Sequence, residues 1–561
     1  MKKLSDFVSS AKRDEHIWIT DIRKTFAADN SAAKSVIRLQ KLDGSFADFA
    51  CPLPRWNCDE EYAFLLDYVS SRIYNILSVF SGKSITVFCG TELNGLFEEA
   101  FSRFYSNSGY KKVINIARRL GGAEPSFALR SLSEYLPAED RRETRSADIA
   151  ARVKAAVENV SKGTYCGIDV GGTDIKLAAS LNGKLVAVKE YDWNPAGFTR
   201  AEMIKTPILL LAELMAACVE NERVGNVVDM SPALNVHADR KTVERAIREV
   251  KARIGGIGKF NGLALSFPDI VTDNRILGGE TPKTAGIRSD PSADYEAELI
   301  SLSKLNEELG ALADKVRVIN DGPMATFSAL SELAYSEKSE IGAVIAHSLG
   351  TDLGTGWIDS SGEMPQIPLE CYDLLFDLGS SVSKSLPPDD MRSLKNENSG
   401  MAGARRYLGQ AAAYRLVYLS APELIADFVD GSQGFPAVRM TPTDMRKPCL
   451  AYIMKLASEK NTAAEAAFRQ VGINLAEITA EIEYLTGARI DNRWLFGRFA
   501  KDKRCFELIS EGFSSVLPEI KLIAADDDMA STPLMRQLSE REDVTVAQFA
   551  QAVSALYYAE Y

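Results

Sequence analysis

The chain has 561 residues, a length that implies about three or four folding units at roughly 150 residues each. With 46% hydrophobic and 25% charged residues it can bury substantial cores, so disorder as the main state is excluded. Its 65 Lys and Arg against 77 Asp and Glu give a net charge of −12, which argues against nucleic acid as a partner, because phosphate neutralisation needs a clustered surplus of basic residues.

The N-terminal run MKKLSDFVSSAKRDEH carries no apolar core of a secretory signal, and a cytoplasmic location is expected. Residues 1–160 read as an accessory α+β domain whose role is not written in its sequence. Within it, SVIRLQKLDGSFADFACPLP predicts a hairpin turning at Asp43-Gly44, and helices are expected around 60–80 and 95–120. A charged helical stretch between Pro137 and Lys162 closes on Gly163 and marks a domain boundary. A first lobe then spans 161–336 in a coarse β-β-β-α-α-β-β-α-β-α order. The most apolar long stretch, Thr206 to Val219, is interrupted by Glu213 and is too short for a membrane span, so it predicts a buried helix and no membrane partner. A polar break at Glu332–Glu340 separates a second lobe, 337–561, with two strands from 341, a helical block from about 397 to 487 and a final β-α-β-α-α. The plan is α/β in two lobes. Eight scattered cysteines without metal-ligand spacing imply reduced thiols.

Four segments carry chemistry. In Tyr165–Ser180 a strand enters a turn at Gly171-Gly172-Thr173 and returns as a second strand; paired glycines let backbone N–H groups approach a phosphate, and Asp169 ahead of them can hold Mg²⁺. Taken alone, the glycines fit a plain hairpin turn better. In Val316–Phe327 an apolar strand ends at Asn320-Asp321 before a helix, where a carboxylate projects into the crevice of an α/β sheet and can act as general base; alone, Asp321 fits a helix N-cap better. Ile341–Asp359 repeats the first pattern with a turn at Gly350-Thr351. Gly262–Asp269 is a strand emptying into a loop that continues through Gly279–Gly286 with small donors and one lysine.

In order and spacing these segments resemble the sugar kinases of the actin/hexokinase superfamily, between hexokinases and the bacterial ROK group. The resemblance covers about 164–561 and implies a two-lobed, ribonuclease H-like α/β fold with the N-terminal α+β domain added. It implies an ATP-dependent hexose kinase of carbohydrate metabolism and glycolysis that uses Mg²⁺. Asp169, Gly171, Gly172 and Thr173 match the first phosphate motif, Gly350 and Thr351 the second, and Gly497 in RWLFGRF the adenosine turn, with Asp169 also the metal ligand. Asp321 matches the catalytic base. Ser266, Phe267, Pro268, Thr281, Lys283, Asn320 and Glu370 match sugar-binding positions. A homodimer is compatible with this resemblance.

Three residues depart from the pattern. Arg498 follows Gly497 where small residues are usual, while Asp352 and Asp174 place extra carboxylates beside the phosphate turns, where like charge weakens ATP binding unless a cation neutralises it. The Cys-rich zinc motif and sugar-site histidine of the ROK group are also absent; His347 reads as a structural strand residue. These departures motivate an alternative, a sugar-sensing or regulatory protein of the same fold with weakened catalysis. A transcriptional regulator is disfavoured, since residues 1–50 hold nine Lys/Arg against seven Asp/Glu and show no helix-turn-helix with a basic face.

Overall fold

A computed structural model describes the chain except for residues 1, 14, 139–147, 279–283, 337–343, 350–352, 360–361, 365–366, 380–403, 432–434, 440–441, 488–491, 498–501, 521 and 525–529. The N-terminal region begins with helices α1 (Leu4–Ala11) and α2 (Ile19–Ala27). Strands β1 (Ser35–Gln40) and β2 (Phe46–Ala50) form the expected hairpin, with Gly44 at φ 86 and the Asp43 carboxylate accepting from the Ser45 N–H. After α3 (Asp59–Phe80) come β3 (Ser84–Cys89), α4 (Asn94–Ser106), α5 (Ser108–Gly121) and β4 (Ser126–Ser131). The strands order as β2-β1-β3-β4. The single helix expected around 95–120 is therefore two, because Asn107 adopts extended backbone and caps the second through its side chain.

Helix α6 (Ile149–Val160) leads into a hairpin-first sheet of β5 (Thr164–Val170), β6 (Asp174–Leu181) and β7 (Lys184–Asp192). Helix α7 (Ala201–Arg223) contains the apolar Thr206–Val219 stretch, and α8 (Arg240–Ile254) is bounded by an Asp239 N-cap and by Gly255 at φ 89. Then come β8 (Phe260–Phe267) and β9 (Ala313–Asn320), followed by α9 (Asp321–Tyr335). The order is β9-β8-β5-β6-β7, with β8 and β9 parallel to β5.

A second sheet is built on the same hairpin-first plan. Strands β10 (Val344–Leu349) and β11 (Leu353–Ile358) pair antiparallel. Helices α10 (Gln410–Ser420), α11 (Arg446–Ser458) and α12 (Thr462–Thr486) form the helical block, and α12 is capped by Asn461 and stopped by Gly487 at φ 67. Strand β12 (Asn492–Phe496), helix α13 (Lys503–Ser514) and strand β13 (Leu522–Ala524) follow, giving the order β11-β10-β12-β13 with β12 parallel to β10. Helix α14 (Val546–Tyr558) returns to the first sheet, so close to β5 that a Cβ at Gly167 would overlap the Ala552 carbonyl. The buried Glu332 anchors this return by accepting from the Ser531 and Thr532 backbone and the Thr532 hydroxyl.

Residues 1–160 do not have a core to themselves. Phe26, Tyr68, Val69 and Ile73 belong to one buried cluster with Leu374, Tyr407, Ile453 and Ile482 of the second half. Buried polar groups bridge it, with Arg72 donating to the Tyr484 hydroxyl at 2.7 Å and Thr20 and Arg23 paired with Glu477 and Glu481. Helix α6, by contrast, packs with α9 and α14 in a separate cluster. All eight cysteines are unpaired thiols and seven are buried. Among the described residues no helix is long and apolar enough to cross a membrane.

Candidate active site

Register brings the site together. Asp169 at the end of β5 lies opposite Ser266 on β8, and Phe267 opposite Asn320 on β9. Neighbouring strands run about 4.8 Å apart, so the C-terminal ends of three parallel strands present these residues within about 10 Å. That edge is where open α/β sheets bind ligands.

Asn320, rather than Asp321, is the N-cap of α9: its side-chain oxygen accepts from the Gly322 N–H at 2.9 Å, and its amide donates to the Asp269 carbonyl at 2.8 Å. The same N–H is shared with the Asp321 carboxylate at 3.0 Å, so Asn320 alone still caps the helix if Asp321 is changed, and the Asp321 side chain stands at the helix start with only partial burial. The start of α9 is driven against the second sheet. A Cβ at Gly322 would overlap the Thr355 carbonyl, and one at Gly356 would overlap the Gly322 carbonyl and the Thr326 hydroxyl. Glycine on both sides of this crossing is what lets the helix that begins at Asp321 bridge the two sheets.

The turn from β5 to β6 is closed by the Gly171 N–H donating to the Asp174 carbonyl at 2.7 Å, with Gly172 and Thr173 exposed. Trp193 pins its far side through its indole N–H to the Gly171 carbonyl at 3.0 Å. Burial pushes the Asp169 carboxyl up to about 6; Lys176 and the Ser266 hydroxyl oppose that shift, and the charges of Asp321 and Asp174 add to it. Lys176 is the cross-strand partner of Asp169 and pairs with Asp174. Burial pulls its ammonium down, but Asp174 and Asp169 outweigh burial and hold it above the usual lysine value. The extra carboxylate at Asp174 is thus compensated from within the hairpin, and it also accepts from the Thr173 hydroxyl at 3.0 Å.

Ser266, Phe267 and Pro268 are all buried. Ser266 is the register partner of Asp169 across the two parallel strands. Glu370 is buried beyond the second hairpin, beside Cys371 and against α3. Gly497 sits at φ 109 at the end of β12, and a Cβ there would collide with the Leu349 carbonyl at the end of β10, so the ends of these two strands lie side by side. Gly350, Thr351, Asp352, Arg498, Thr281 and Lys283 lie outside the described residues. His347 is fully buried, its Nδ1 at 3.2 Å from the Thr355 hydroxyl, and burial and then Arg493 lower it to about 3, which fits a structural neutral imidazole.

Two residues escape motif reading. Lys176 is legible from strand alternation, which puts 174 and 176 on one face. Asp269, 1% exposed and capped onto Asn320 through its carbonyl, has no local signal beyond following Pro268.

No family model matches the chain, and no curated protein is similar to it by sequence. Among solved structures, a ROK family glucokinase from Streptomyces griseus in complex with glucose and AMPPNP is 17% identical, covering 71% of this chain and 99% of its own, at a TM-score of 0.38. A ROK hexokinase from Thermus thermophilus is 15% identical over 71% and 98%, at 0.37. A ROK family transcriptional regulator, a homolog of the E. coli MLC protein, is 12% identical over 71% and 80%, at 0.39. The chain resembles ROK-family sugar kinases. The likeness is distant at these identities and TM-scores, and the site's geometry stands independently of it.

Proposed function

We propose that the protein is an ATP-dependent sugar kinase that transfers the γ-phosphate to a hexose hydroxyl, on a two-lobed actin/hexokinase-like fold of the ribonuclease H-like kind. One observation carries the reading: Asp169, Ser266, Asn320 and Asp321 converge at the ends of three adjacent parallel strands while α9 carries Asp321 to the crossing with the second hairpin. In this reading Asp321 accepts the proton of the attacking hydroxyl. Asn320, with Thr281, Lys283 and Glu370, holds the sugar, and Ser266-Phe267-Pro268 form the buried wall behind it. The turns at Gly171–Thr173 and Gly350-Thr351 receive phosphate, and Gly497 receives the adenosine.

The donor set fits Mg²⁺. The charge of Asp321 adds to the cost of ionising the buried Asp169, a repulsion that a bound cation relieves, and Mg²⁺ takes one or two protein carboxylates together with water and phosphate oxygens. Among the described residues no group of three or more metal-ligating side chains is assembled. When bound, the ion would neutralise charge on the transferring group. The reading places the protein in the cytoplasm, in carbohydrate metabolism, with small-molecule partners, no nucleic acid, and room for a homodimer.

A second reading, a sugar sensor with weakened transfer, is favoured by one feature. Asp174 engages both the Thr173 hydroxyl and Lys176, donors that a phosphate would otherwise use. ADP release with Mg-ATP across hexoses and N-acetylhexosamines separates the two. Turnover on one sugar, reduced about 10²–10⁴-fold by Asp321→Asn, supports the kinase. Silence on every sugar, with a sugar still raising the melting temperature, supports the sensor.

A further inference from the structure

The segment Leu369–Gly379 lies along the N-terminal region and is bonded to it along its length. The Leu369 N–H donates to the Val79 carbonyl at 3.0 Å and the Glu370 N–H to the Ser78 carbonyl at 3.1 Å. The Ser78 hydroxyl returns a bond to the Glu370 carbonyl at 3.0 Å. Farther on, the Asn75 side chain clasps Leu375 on both sides, donating to its carbonyl at 3.0 Å and accepting from its N–H at 2.8 Å. Lys112 of α5 pairs with Asp373 at 2.6 Å. The Ile19 N–H donates to the Phe376 carbonyl and the Leu378 N–H to the Ile17 carbonyl, each at 2.8 Å. Leu369 itself holds φ 48, a left-handed conformation that a leucine keeps only where its surroundings over-determine it.

The residues just ahead of this segment line a cavity together with the end of β9. Ile367 and Pro368 face Asn320 and Pro323 across a cavity of about 440 Å³. The chain therefore passes from a cavity along β9 onto the C-terminal turns of α3.

We infer that α3 and residues Ile17–Ile19 form a brace that fixes Glu370 for sugar binding, with Ser78 and Asn75 as its positioning residues. This rests on the reading of Glu370 as a sugar-binding carboxylate. A carboxylate that selects hydroxyls must be held in one place, and one carried on a connecting segment loses affinity to the entropy of ordering unless a rigid element holds its backbone. Here the rigid element is a buried helix some three hundred residues earlier in the chain, and through it the N-terminal region supports the sugar site.

The test uses the full chain with Ser78→Ala, the conservative Ser78→Thr and the milder Lys112→Met. Amide exchange of Leu369–Gly379 is read by mass spectrometry, and KM and kcat are read with D-glucose and N-acetyl-D-glucosamine. Ser78→Ala is expected to speed exchange of this segment and to raise the sugar KM at least about threefold while leaving the ATP KM unchanged, with Ser78→Thr restoring both. Unchanged exchange in both Ser78→Ala and Lys112→Met overturns the brace. Faster exchange with an unchanged sugar KM overturns the link to the sugar. A parent chain that turns over neither sugar nor any other hexose defeats the kinase reading instead, and the exchange measurement still decides whether the brace exists.

Discussion

Asp321 and His347 show how differently two strand-end and mid-strand polar groups are treated by one fold. Asp321 is left partly exposed because Asn320 takes over the capping of α9, so Asp321→Asn is expected to keep the fold and lose transfer. Its melting temperature should stay near the parent value, and a drop of several degrees would mean that the carboxylate is structural. His347 has the opposite fate, buried between β11 and β12 and depressed to about 3. Because its folded value lies below the unfolded value near 6.5, the unfolded state binds the extra proton in acid. The stability tied to neutral His347 is whole above about pH 6.5 and is lost as pH falls toward 3, by up to about 1.4 kcal/mol per unit. Urea unfolding of His347→Gln between pH 7 and 5 should therefore show a shallower acid slope than the parent. Equal slopes would mean that the imidazole is protonated in the fold.

Among the elements, the crossing of α9 with β11 decides whether Asp321 can reach anything in the second half. A Cβ at Gly356 meets backbone, the Gly322 carbonyl, and backbone cannot swing aside as a long side chain can. Gly356→Ala is expected to cost about 1–3 kcal/mol through overpacking and to abolish turnover by moving the helix start. Gly197→Ala, where an added Cβ meets nothing, is the control. If Gly356→Ala melts with the parent, the crossing has room for a methyl group. This crossing also marks where sequence reading ends. The ends of β5 and β9, with Asp169 and Asn320-Asp321, are legible because apolar runs stop at polar residues followed by glycine. The Asp174–Lys176 pair is legible from alternation. That Gly322 and Gly356 touch is not, since nothing local to either glycine names the other.

At the scale of the whole molecule, the buried cluster that residues 1–160 share with the second half is illegible in sequence for the same physical reason. Composition and punctuation show where chain segments change character, but not which cores they share, and Asn75 finds Leu375 across three hundred intervening residues. The cost of that arrangement is interdependence. Glu481 is buried and serves Arg23 and Asn75 of the N-terminal region from within α12, so neither side can be removed without leaving buried charge unpaired. The region up to α5 and the helical block should then unfold as one cooperative unit, and the cysteines report it. Cys51 and Cys89 lie on the N-terminal side of this shared core and Cys449 and Cys505 on the other, while Cys166 and Cys218 belong to the core of the first sheet. In rising urea with a thiol reagent, the first four should become labelled together, whatever Cys166 and Cys218 do. Labelling of Cys51 and Cys89 at distinctly lower urea than Cys449 and Cys505 would make the N-terminal region a separable domain and remove the physical basis for its hold on Glu370.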